Sequence, residues 1–303
     1  MNILVLFSYG SLRTIDDVAG FYDDIFHGHG TAEQIEKGVE KYRALEKAEA
    51  LGSNTYRIGR FLAKRLQQIT GEEWETFVAN HHASPSIEEV AKECAEIDPK
   101  QVVTLGLTPF DSVTGKNAYE SRFAKKFRAH HTSTTIVHAT SFYDNQLFRN
   151  VIVDRAKTAK QWLKEEVRNK AEIVFTAHSK PGTAAAHQKM INEYNELAKH
   201  IATELPCEHY HIAYRSGQPA PQRWLGPDVL DVISELAERQ VSAVIFIEVL
   251  SVIENLEAVE EVTKDAVAKA RSLGMEAIQS EYLNDSADFV EALVDHLCRE
   301  LGI

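Results

Sequence analysis

The sequence has only three cysteines, Cys94, Cys207 and Cys298, in 303 residues. They are too few and too scattered for a disulfide framework or a zinc ribbon. They also fall one short of the four thiolates an iron–sulfur cluster takes, so no such cluster and no permanently bound cofactor is expected. Basic charge is scarce as well. Lys and Arg number 33 against 45 acids, a formal charge of -12. A duplex binder needs a basic footprint, so nucleic acid is excluded as a partner. No glycine-rich phosphate loop is present, neither G-x-x-x-x-G-K-[ST] nor G-x-G-x-x-G, which sets aside nucleotide-driven chemistry. Long apolar runs are missing too. The N-terminal MNILVLFSYGS is short and lacks a basic start, so it reads as a buried strand and neither a signal peptide nor a membrane span. The expectation is a cytoplasmic monomer without stable membrane insertion.

What is present is enough apolar material for a sizeable core, 44% of residues. Chains of this length often form two domains of roughly 150 residues each. Short β-rich runs alternate with longer helical stretches. Strands are expected at Ile3–Phe7, Thr76–Asn80, Val102–Leu107, Thr134–His138, Ile173–Ala177, Tyr210–Tyr214, Ala243–Val249 and Glu276–Gln279. Helices are expected at Glu33–Ala50, Tyr56–Ile69, Ser86–Glu96, Ala156–Asn169, His187–Glu204, Val229–Gln240, Leu256–Ser272 and Ser286–Leu301. Such alternation means βαβ units and parallel sheets covered on both faces. Eight strands fit one barrel or two four-stranded sheets. The polar, aromatic-rich stretch Thr140–Arg155 suits a crossover between halves. The expected fold is therefore α/β, with two similar doubly wound parallel-sheet domains and a cleft between them. The expected boundaries are 1–140, completed by a C-terminal helix at 286–303, and 141–285.

Ligands of such folds sit beyond the carboxyl ends of the strands. The first strand leads to Ser8, Tyr9, Gly10 and Ser11, and the second to His81 and His82. The strand at Ile173–Ala177 runs straight into His178, with Pro181 soon after. An imidazole there can serve as a base or bind a metal, or it can simply hydrogen-bond a loop carbonyl. After Ala243–Val249 comes an acidic run in which Glu257, Glu261 and Asp265 stand four apart. On a helix they form one row of like charges, which repel. Carboxylates of this kind can hold a divalent ion or accept protons, or can be a solvated face of an acidic protein. Trp224 could stack on a flat ligand. His27 and His29 sit in the turn HGHG, which supplies no third ligand.

Together these segments resemble the ferrochelatases. TAHSKP at Thr176–Pro181 is similar to the family's histidine signature, and WLGPDV at Trp224–Val229 matches its second-domain signature. SYGS at Ser8–Ser11 resembles the first loop and SFYD at Ser141–Asp144 the interdomain segment. NLEAVEEVTKDA at Asn255–Ala266 lines up with the acidic helix. The nearest likeness is to compact bacterial enzymes acting on coproporphyrin III. The turn FHGHG and the loop TPFDS depart from the arginine and the proline–histidine pair usual there.

The resemblance implies insertion of ferrous iron, as substrate, into coproporphyrin III or protoporphyrin IX in haem biosynthesis. His178 and Glu257 would be catalytic, and His178, Glu257, Glu261 and Asp265 would handle the metal. Tyr9, His27, His81, His82 and Trp224 would contact the porphyrin. The alternatives are a cobalt or iron chelatase for a precorrin-type ring, with His82 as a second histidine, and a non-catalytic tetrapyrrole carrier. The chemistry asks for these residue types. Insertion removes two pyrrole protons and strips water from the metal, which a neutral imidazole backed by a carboxylate can assist.

Overall fold

The computed structural model describes all residues except 11, 13, 44–49, 132, 206, 208 and 218–222. All eight expected strands form, with ends shifted by at most two residues. They are β1 Asn2–Ser8, β2 Trp74–Asn80, β3 Gln101–Gly106, β4 Thr135–His138, β5 Glu172–His178, β6 Tyr210–Arg215, β7 Ala243–Glu248 and β8 Glu276–Gln279. They make two four-stranded sheets ordered β2-β1-β3-β4 and β6-β5-β7-β8, and every pairing is parallel. The central strands are apolar along their length. β1 and β7 are buried at every position, as strands covered on both faces must be.

In both sheets the chain leaves the first strand to one side and later returns to the other. The order therefore reverses between β1 and β3, and again between β5 and β7. Those are the points where doubly wound sheets open a crevice for ligands.

The chain divides into two compact units: residues 1–107, 114–140 and 297–303 form one, and residues 108–113 and 141–296 the other. The first is built on Ile3, Val5, Phe7, Val90, Val102, Phe123 and Phe127. The second is built on Val174, Ala213, Ile233, Val244, Phe246, Val262 and Ala266. This division departs from the expected boundaries in two places. The loop 108–113 belongs to the second unit, where Glu193 accepts the Asp111 backbone N–H at 2.7 Å. The C-terminal helix Ala287–Leu301 does not join the first unit whole, since its residues to His296 lie with the second.

The helices depart more than the strands. Val18–Ile25 and Lys116–His130 are helical without having been expected. The second carries only weak patterning, with Phe123 and Phe127 as its large buried side chains. The supposed crossover Thr140–Arg155 is helical from Gln146, where Asn145 Oδ1 caps the Phe148 N–H at 3.0 Å. Of the stretch Glu33–Ala50, the residues to Arg43 are helical, as is Ala50, from which a helix runs on to Thr70. Residues 44–49 lie outside the described ones, as does Ser11 of the SYGS motif. No helix among the described residues is long and apolar enough to cross a membrane.

Candidate functional site

His178 is the last residue of β5 and sits at the reversal beside β7. Its Nδ1 lies 2.5 Å from the Ser179 carbonyl oxygen. A carbonyl only accepts, so Nδ1 carries a hydrogen, and whenever the ring is neutral its lone pair is on Nε2. That Nε2 lies 3.2 Å from Glu257 Oε2. A proton carried on Nε2 would lie between the ring and the carboxylate.

The His178 loop is held by the WLGPDV segment. Ser179 donates its N–H to the Arg215 carbonyl at 2.8 Å and its hydroxyl to the Leu225 carbonyl at 2.7 Å. Leu225 N–H returns to the Lys180 carbonyl at 3.1 Å, and Gly182 N–H reaches the Arg223 carbonyl at 2.8 Å. Gly182 has φ +111, a backbone conformation that favours glycine. Asp228 Oδ1 then caps the helix Val229–Glu238 by accepting the Leu230 N–H at 2.8 Å. The two motifs thus have one physical job, to fix where the imidazole points. Trp224 lies beside it, ring centroids 6.4 Å apart.

The acidic helix starts at Asn255, whose Oδ1 accepts the Ala258 N–H at 2.9 Å. After Leu256–Ala258 it widens into a π-helix over Val259–Ala266 and returns to α over Val267–Ser272. Glu257 and Glu261 both reach Arg215, at 3.5 and 3.0 Å from Nη1. Ser216 donates to Glu261 at 2.5 Å. Burial and the charge of Glu257 raise the Glu261 carboxyl above its ordinary value, opposed by Arg215 and Ser216. Asp265 is exposed and stands outside this network.

The four residues expected to handle metal are therefore not one coordination shell. Among the described residues no three His, Cys, Asp or Glu side chains are grouped to hold a metal ion. Only His178 and Glu257 meet; Glu261 is turned onto a guanidinium. Arg215, the last residue of β6, was not singled out from the sequence. Its partner Glu248, the last residue of β7, was hidden inside an apolar run.

The first unit carries a second constellation at the carboxyl ends of β1 and β2. His81 and His82 donate their backbone N–H groups to the carbonyls of Ser8 and Tyr9, both at 2.9 Å. Tyr9 is exposed and packs edge-on to His82, centroids 4.8 Å apart. His82 Nδ1 lies 2.6 Å from Asp24 Oδ2. His81 accepts a hydrogen bond from Arg122, which also pairs with Glu88 through two nitrogens at 2.8 Å. Burial, followed by His82 and Arg122, pushes His81 down to about 4. Burial also lowers His82, against the pull of Asp24. Burial thus favours the neutral form of both rings. His27 is exposed in its turn at φ 53. The groove lined by Tyr56, Arg60, Lys64 and Trp74 opens at the amino end of β2, the wrong end of the strand for ligands of this fold.

Comparison with known proteins agrees with this layout. The ferrochelatase family model matches residues 3–301. A ferrochelatase of Herpetosiphon aurantiacus is 27% identical over 96% of this chain and 96% of its own. A coproporphyrin III ferrochelatase of a Geobacillus species is 26% identical over 100% and 98%. One from Bacillus anthracis is 27% identical over 96% and 95%. Among solved structures, SirB from Bacillus subtilis with Fe3+ aligns at TM-score 0.63 and 12% identity over 99% of this chain and 95% of its own. CbiX, a terminal enzyme of siroheme biosynthesis in denitrifying bacteria, aligns at 0.53 and 12% over 99% of each. At such identities the structures speak for the two-sheet fold alone, whereas the family match runs nearly end to end: this chain belongs to the ferrochelatase family.

Proposed function

We propose that this chain is a metal-inserting lyase of haem biosynthesis that places ferrous iron in coproporphyrin III. The observation that carries the reading is the His178–Glu257 pair at the β5/β7 reversal, with Nε2 and the carboxylate within hydrogen-bond reach of each other. Insertion exchanges two pyrrole protons for one metal ion. His178 Nε2 accepts the two pyrrole protons in turn, and each time Glu257 receives the N–H so formed as a charge-assisted hydrogen bond. Half-exposed, Glu257 can pass the proton to water. The same lone pair of His178 and the Glu257 carboxylate can hold incoming iron before it enters the ring. Tyr9, His82 and Trp224 are assigned to substrate contact, at strand ends of their own units.

The choice of coproporphyrin III follows the names of two relatives reported above. The remaining partners proposed are few: porphyrin and ferrous iron, in a cytoplasmic monomer without nucleic acid or a permanently bound cofactor. The test is an anaerobic absorbance assay with ferrous iron and, in turn, coproporphyrin III, protoporphyrin IX and sirohydrochlorin. Turnover fastest with coproporphyrin III and absent from His178→Ala is the expected result. Preference for sirohydrochlorin would mark a siroheme-type chelatase. Spectral shifts on binding without turnover of any ring would mark a carrier and overturn the proposal.

A further inference from the structure

Arg215 is a fully buried arginine at the end of β6, 1% exposed. Its Nε is 3.0 Å from Glu248 Oε2, its Nη2 donates to Ser251 Oγ at 2.8 Å, and its Nη1 faces Glu261 and Glu257. Glu248 is itself fixed from behind. It accepts the Leu250 and Ser251 backbone N–H groups at 3.2 and 2.9 Å and the Thr176 hydroxyl at 2.9 Å. A chain of bonds thus runs from the core of the sheet, through one guanidinium, to the two carboxylates of the acidic helix. Burial opposes the charge of Arg215, and the three carboxylates outweigh it and hold the guanidinium protonated. Lys180 faces the same group of charges. Burial and then Arg215 push it below the ordinary lysine value, and Glu257 opposes them.

We propose that Arg215 is a positioning residue that takes the place between Glu257 and Glu261 which a divalent cation would otherwise occupy. A guanidinium offers a fixed fork of donors to carboxylates, as a metal offers fixed coordination. Held this way, Glu257 keeps one oxygen over His178, and Glu261 is neutralised by the protein itself. The acidic helix then does not store metal, and a cation entering the site meets His178 and Glu257 first.

The placement of Glu257 rests on the proposed function, but the occupancy of the carboxylate pair does not, so it is tested without porphyrin. Removing Arg215 alone would strand buried Glu248, which is strongly destabilising. The variant is therefore Arg215→Gln with Glu248→Gln, which deletes equal and opposite charges. Mn2+, a hard ion suited to carboxylates, is titrated into porphyrin-free protein and the free ion read by electron paramagnetic resonance. The double variant is expected to bind Mn2+ at least about tenfold more tightly than the wild type, and adding Glu261→Gln is expected to abolish the gain. Equal affinity of wild type and double variant overturns the proposal, as does a gain that survives Glu261→Gln. Should the double variant fail to fold, Arg215→Lys decides. It keeps the charge while losing the fork, so Mn2+ affinity near that of the wild type together with a lowered kcat supports the proposal, and an unchanged kcat overturns it.

Discussion

At the scale of single residues, the proposed chemistry turns on a proton passed between His178 and Glu257. Glu257→Gln keeps the volume and a hydrogen-bonding end group but cannot hold the proton that His178 accepts. A loss of about 10²-fold in kcat is expected, within the range for a removed acid–base partner. Binding of the porphyrin, read from its absorbance shift, should be little changed. A kcat close to wild type would remove Glu257 from the proton path. His81 makes a second prediction. Its folded value of about 4 lies below the ordinary 6.5, so between the two the unfolded chain binds a proton that the folded one refuses. Stability from this group is complete above the higher value and is lost as pH falls through the lower one. Asp24 and Glu88 oppose the shift, and His82 and Arg122 reinforce it. His81→Asn keeps an acceptor for Arg122 and removes the titration. Its urea midpoint should fall less than that of the wild type between about pH 7 and about pH 5. Equal falls would place the acid sensitivity elsewhere. His178 could be read from sequence because it directly ends an apolar strand. Arg215 and Glu248 could not, since a buried pair of opposite charges leaves no periodic trace and is visible only once β6 and β7 are beside β5.

At the scale of elements, strands proved more legible than helices, for a physical reason. A strand covered on both faces must be apolar throughout, and β1 and β7 announce themselves that way. Lys116–His130 buries the charged Lys116 and Glu120 alongside Phe123 and Phe127, so its apolar pattern is faint. The π-helix did leave a trace. Ala258, Val262, Ala266 and Ala270 are all fully buried and stand four apart. In an α-helix that spacing overruns a full turn by roughly 40° at each step. A wider turn, with i→i+5 hydrogen bonds, brings the row back to one face. The acids Glu257, Glu261 and Asp265 share the period one residue earlier; Glu261 meets Arg215, while Asp265 stays in solvent. The whole helix is anchored at Asn255, two residues before Glu257. Asn255→Ala should lower stability by about 1 kcal/mol, and Asn255→Asp should preserve it. Chemical denaturation read by circular dichroism separates the two, and an alanine variant as stable as wild type would show that the cap is not what seats the helix.

At the scale of the molecule, the same strand order appears twice, and each unit supplies a reversal point with titratable groups at its edge. Around both lies an excess of negative charge, -12 in all. Such a field attracts small cations and repels a polyanionic porphyrin. The two proposed substrates carry opposite charges, so salt should act on them in opposite directions. Raising ionic strength from about 10 mM to about 1 M shortens the screening length from about 30 Å to about 3 Å. The KM for ferrous iron is then expected to rise several-fold, because capture of the cation loses its long-range attraction. The KM for coproporphyrin III is expected to fall, because the repulsion of its carboxylates is screened too. The proton transfer proposed between His178 and Glu257 spans a direct contact of 3.2 Å with no room for a screening ion between the two groups, so kcat should stay nearly constant. General salt damage to the protein would lower kcat and move both KM values together. Opposite shifts at constant kcat are the signature of a field that belongs to the whole chain, and parallel shifts would show that the net charge has no part in bringing either substrate to its site.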